Sequence, residues 1–164
     1  MSKLPYSKSK ANPIQAQARI RQMLLKFGVD QFHFSEDVRK GEVKIAFIYK
    51  GYPVSLPINI DKLAERYLKD DPWTYRKNAN REQWAAEKRR IAQNASFSLL
   101  EDFLKGLIMV VELGMFSFEE IFVSYFIDNK GRRLGELFTK RLPEIMSGRL
   151  SLSEGAIVDG EIVE

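Results

Sequence analysis

The sequence contains no cysteine and a single histidine. The first absence excludes disulfides, thiolate metal sites and cysteine nucleophiles, and makes a reducing, intracellular compartment the expectation. The second excludes a metal site built from histidines alone. Long apolar runs are missing too. "GLIMVVELGMF" is too short and too interrupted to span a bilayer, and "MSKLPYSKSKANP" has no apolar signal-peptide core. The glycines never gather into a phosphate-cradling loop, and Ser55, Ser96 and Ser98 have no nucleophile-elbow context. These absences point to a cytoplasmic protein that is not an enzyme, needs no cofactor and has no membrane partner.

What is present suits one compact domain. A chain of 164 residues can bury roughly 70% of its unfolded surface on folding. The net charge of +4 is unevenly spread. Residues 1 to 29 carry Lys3, Lys8, Lys10, Arg19, Arg21 and Lys26 with no acid, whereas 150 to 164 carry Glu154, Asp159, Glu161 and Glu164 with no base. Two readings fit such ends: solvated termini, or a phosphate-seeking arm that the acidic tail masks. The expected organisation is a disordered basic arm over 1–11, one domain over 12–148 and a flexible acidic tail over 149–164.

Periodicity predicts an α+β fold. "NPIQ" starts a helix over 13–27, with Asn12 as N-cap, Gln15 placed as a capping-box partner and Gly28 as C-cap. The period then drops from 3.6 to 2 through "QFHFS", "EVKIAFIYK" and "YPVSLPINI", which predicts a three-stranded antiparallel meander. Pro53 and Pro57 make the third strand an edge, or point outward from it. "IDKLAERYL" reads as a short helix stopped by "DDP". A long helix follows from Asn80 to about Leu113, its later half forming the core. In "FSFEEI", Ser117 and Glu120 make a capping box that starts a helix at Phe118. "RRLGELFTKRL" and "PEIMSG" read as two last short helices. The fold expected is an N-terminal helix, the meander, then a cluster of four to five helices on one sheet face.

The order of "YKGYPVSLPI" after a helix, the "DPWTYRK" connector, the long helix and the "ELGMFSFEEIF" corner resembles small proteins encoded by bacteriophages and integrated mobile elements. The resemblance covers residues 12 to 148 and brings no catalytic motif with it. It implies an accessory protein acting inside a bacterial host: a replication or recombination factor, or an inhibitor of host machinery, anti-CRISPR proteins included.

Chemistry narrows to binding. His33 alternates with Phe32 and Phe34, so it faces away from them in a structural role. Asp61 and Glu65 share a helical face and could hold Mg2+, but Lys62, Arg66 and Lys69 interleave with the acids as ion-pair partners, and no metal is expected. The stretch "DDPWTYRKNANREQW" is different, because its rings could stack on bases while its cations neutralise phosphates. The candidate residues are Trp73, Tyr75, Arg76, Lys77, Arg81 and Lys88, extended by Arg19, Arg21 or the N-terminal arm. A helical wheel puts Trp84 on the inner face with Arg81 and Lys88 at its margin, so Trp84 is read as core. Trp73 is either a buried anchor or an exposed platform. The expectation is therefore a nucleic-acid binder. The alternatives are a protein-binding inhibitor of a host nucleic-acid enzyme, and a homo-oligomeric structural protein using the meander edge or the 116–126 helix.

Overall fold

A computed structural model describes residues 4–7 and 12–149. The fold is the expected α+β arrangement. Helix α1 (Pro13–Phe27) leads into strands β1 (Gln31–Asp37), β2 (Glu42–Tyr49) and β3 (Tyr52–Asn59), followed by α2 (Ile60–Asp70), α3 (Arg81–Glu112), α4 (Phe118–Phe122) and α5 (Leu134–Glu144). A 3-10 turn, Val123–Tyr125, follows α4, and a π turn, Ile145–Arg149, follows α5. The acidic tail lies outside the described residues apart from Arg149.

Local chemistry fixes most boundaries. The Asn12 side chain accepts from the Ile14 and Gln15 amides, and Gly28 at φ 99° donates back to Leu24 and Leu25. Gln15 thus contributes its backbone, not the side chain of a capping box. Lys50 and Gly51 both take positive φ, the geometry that lets a two-residue hairpin follow strand twist. The α3 and α4 capping boxes, Asn80 with Gln83 and Ser117 with Glu120, are both complete.

The sheet order is β1-β2-β3, with β3 at one edge. Phe47 pairs with Phe32 on one side and Val54 on the other, and Ile45 pairs with Phe34 and Leu56. This register puts those side chains on one face, where helices cover them. Phe97 of α3 meets Phe34, Phe122 of α4 meets Phe47, and Phe27 of α1 stacks on Tyr49. His33 is exposed on the other face.

Several expectations need correction. The basic arm is not disordered over Leu4–Ser7: the Tyr67 hydroxyl donates to the Pro5 carbonyl at 2.9 Å, Tyr6 donates to Asp102, and Ser7 is buried. Residues 1–3 and 8–11 lie outside the described residues. The buried stretch of α3 begins at Lys88 and ends at Ile108, whereas Met109 and Leu113 are exposed. The helix begun at Phe118 lasts only five residues. It yields because Phe126 bridges Val54 and the Ile127 amide donates to the Pro53 carbonyl, so extended chain is needed along the β3 edge. The boundary between the two last helical pieces falls after Glu144 and not before Pro143: Pro143 sits in the final turn of α5, where it removes a single helical hydrogen bond, and the π turn follows without a break.

Candidate nucleic-acid interface

The connector between α2 and α3 is held by one carboxylate. Asp71 follows the last residue of α2 and accepts from Lys77 Nζ through Oδ1 and from Lys88 Nζ through Oδ2, each at 2.8 Å. Lys88 comes from the second turn of α3, so the loop is tied to both flanking helices. The same two ammonium groups lie 4.2 and 4.4 Å from the centroid of the Trp84 ring, within cation–π range. Trp84 closes the arrangement by donating its indole N–H to the Asp71 carbonyl at 3.0 Å. Hydrogen bonds from Lys77 and then Lys88 hold the Asp71 carboxyl below its usual range.

This geometry divides the six candidate residues. Lys88 is 4% exposed and engaged with Asp71, so it cannot reach a phosphate, contrary to the expectation. Lys77 is half-buried and spent on the same carboxylate. Trp84 is half-buried rather than core, its ring capping the ion cluster. Trp73 is an anchor, its indole N–H donating to the Ala79 carbonyl at 2.8 Å. Against its ring, edge-on at 4.9 Å, stands Tyr75, which is 94% exposed. Arg76 and Arg81 are exposed and form no ion pair with any described residue. Three of the six, Tyr75, Arg76 and Arg81, therefore remain open to a ligand.

The proposed extension through α1 is also partly spent. Arg19 pairs with Glu101 at 2.6 Å, and Arg21 lies over the Phe32 ring. Arg89 and Arg90 pair with Asp61 and Glu87. A metal at the acidic cluster fares no better. Asp61 faces Arg89 and Asp71 faces two lysines, and no group of three metal-ligating side chains comes together among the described residues. No helix there is long and apolar enough to cross a membrane.

The sequence reading missed a row of cations on α2. Lys62, Arg66 and Lys69 are all exposed and make no ion pair with the acids beside them, because those acids turn to α3 or to solvent. Their spacing of four and three residues, opposite buried Ala64 and Tyr67, puts them on the solvent-facing stripe of the helix. That spacing was legible in "KLAERYLK". Glu65 and Asp70 border the stripe. No protein-family model matches the chain, and no curated protein or solved structure does.

Proposed function

We propose that the protein binds nucleic acid without catalysing a reaction, through Tyr75, Arg76 and Arg81 on the connector and Lys62, Arg66 and Lys69 on α2. The observation that carries this reading is the exposed Tyr75 ring, set edge-on against an anchored Trp73 on a connector whose Arg76 and Arg81 are exposed with no ion partner among the described residues. An exposed aromatic ring on a connector that also carries exposed cations has the composition of a base-stacking platform on a phosphate-seeking surface. Single strands are the favoured ligand, because duplex hides the base faces on which the ring would stack. An accessory role inside a bacterial host, as the sequence resemblance implies, is part of the same proposal.

Fluorescence anisotropy with labelled single-stranded and duplex DNA, from low to physiological salt, tests this. Five phosphate contacts give a log–log salt slope of about 3.5 on single strands. Arg76→Ala with Arg81→Ala lowers that slope by about 1.4 without changing sequence preference. Tyr75→Ala costs about 1–3 kcal/mol on single strands and little on duplex. An absence of binding at low salt rejects the reading.

A protein partner is the second reading. Leu113, Met115 and Phe116 stand 68, 63 and 47% exposed at the α3–α4 corner, an apolar surface that nucleic acid does not need. Capture of a host protein that survives nuclease treatment and is lost on Met115→Glu favours this alternative.

A further inference from the structure

The two edges of the sheet differ. Along β3, Pro53 and Pro57 cannot donate to a neighbouring strand, and the chain at Phe126 and Ile127 already lies against that edge through the Val54–Phe126 bridge and the bond from the Ile127 amide to the Pro53 carbonyl. β1 has no such protection. Its seven residues include no proline, lysine or glycine, and its register with β2 runs from Gln31 to Asp37 without a bulge. Tyr49 and Tyr52 flank a two-residue turn and so exchange a hydrogen-bond pair, which leaves Ile48, Ala46 and Lys44 of β2 to bond Gln31, His33 and Ser35 of β1. The amides and carbonyls of Phe32, Phe34 and Glu36 therefore point away from the sheet, and no described backbone group takes them up. The helix layer also stops short of this edge. Val43, Ile45 and Phe47 of β2 are buried, whereas Phe32 and Phe34, beside them on the same face, are only partly buried.

We propose that a second copy of this chain covers the edge, β1 pairing antiparallel with β1 of the other copy about a two-fold axis at His33 and joining the two meanders into one six-stranded sheet. A bare strand edge is completed by another, and β1 is such an edge in every copy of the chain. A two-fold interface must also be self-complementary, and β1 is close to a palindrome about His33, with Phe32 matched by Phe34 and Gln31 by Ser35. With the axis there, the outward backbone groups of Phe32 bond those of Phe34 on the other copy, twice over. The four rings gather on the helix-covered face, each opposite another ring, and gain the cover that one copy does not give them. On the open face Gln31 stands opposite Ser35. An axis at Phe34 would instead set Phe32 against Glu36, and an axis at Ser35 would set Phe34 against Glu36, so a ring would meet a carboxylate in either case.

Sedimentation and light scattering of the nuclease-treated full chain read the outcome. The mass should approach twice the 19.0 kDa of one chain as concentration rises, and fall back on dilution. Because the sequence has no cysteine, one introduced thiol reports one contact. The two residues on the axis form a non-hydrogen-bonded pair with Cα atoms about 4.5 Å apart, within disulfide reach, so His33→Cys should yield a covalent dimer under mild oxidation. Ser35→Cys should not, because the two copies of that residue stand about 13 Å apart along the strands. Phe32→Pro removes an amide hydrogen that faces away from β2, and should hold the chain at one chain's mass while its circular dichroism stays that of wild type. A full chain that stays at one chain's mass at every concentration overturns the proposal, and leaves the edge to a strand of another protein or of residues 150–164. A dimer that survives Phe32→Pro, or that cross-links through Ser35→Cys or through neither position, also overturns it, because the two-fold axis then lies elsewhere.

Discussion

Replacing Asp71 with asparagine keeps the shape of the connector and removes the charge that holds it. Two charge-assisted hydrogen bonds are lost, and the Lys88 ammonium, whose side chain is only 5% exposed, is left without a counter-charge. Stranding a buried charge costs about 3–5 kcal/mol. That range is too high here, because the Asp71 side chain is 34% exposed and the Trp84 ring still faces the ammonium. A loss of about 2–3 kcal/mol remains, or about 4–12 °C in melting temperature for a domain of this size. Lys77→Met should cost less than about 1 kcal/mol, since that side chain is 27% exposed and Lys88 keeps its partner. Adding Lys88→Met to Asp71→Asn should recover at least about 1 kcal/mol, because the stranded charge is then gone. The pH dependence carries its own sign. The folded carboxyl titrates below its unfolded value near 3.8, so its contribution is present above that value and vanishes as pH falls through the folded one. The gap between wild type and Asp71→Asn should therefore be flat from about pH 5 upward and close in acid. Thermal melts followed by circular dichroism measure all of this. An Asp71→Asn melting temperature within a degree or so of wild type refutes the claim that the cluster holds the connector.

Two further perturbations follow from backbone geometry. Ser117→Ala removes the hydroxyl that accepts from the Glu120 amide at 3.1 Å and should cost about 1 kcal/mol; an unchanged chemical-denaturation midpoint contradicts it. Gly41→Ala places a Cβ 2.2 Å from the Asp61 carboxylate at a φ of +57°, and the left-handed backbone alone should cost about 1–2 kcal/mol by the same measurement.

The parts of the fold that were legible in the sequence are those set by short-range chemistry. Asn12, Asn80 and Ser117 cap their helices because a side-chain acceptor, a following turn of amides and an apolar face all lie within a few residues. The meander was legible because alternation of period 2 fixes which side chains share a face, and the register of Phe34, Ile45 and Leu56 follows. The misread boundaries are those at which a distant segment overrides a local pattern. Phe118, Phe122 and Phe126 keep helical spacing and are all buried, yet the helix ends between the second and third because β3 needs a neighbour at Pro53 and Val54.

Half of the candidate residues, Trp73, Lys77 and Lys88, turned out to be engaged within the chain, for a related reason that has a general form. Basic side chains beside aromatic rings were counted as free charge, but a cation contributes to a phosphate surface only if no carboxylate of its own chain reaches it first. Lys88 lay at the inner margin of the wheel, and a lysine in such a place is buried only with a partner. The nearest acid able to serve was Asp71, which the turn at Pro72 folds back over α3, and 17 residues separate the two in sequence. Asp61 repeats the pattern by choosing Arg89 over the cations on its own helix. In both cases an acid in or just after α2 pairs with a cation of α3; the Asp71–Lys88 contact is largely shielded from water and so is worth more than an exposed pair along one helix, whereas the Asp61–Arg89 contact stays open to solvent. The cations of α2 itself are thereby released to solvent. That exchange leaves Lys62, Arg66, Lys69, Arg76 and Arg81, in place of Lys77 and Lys88, as the exposed cations of α2 and the connector.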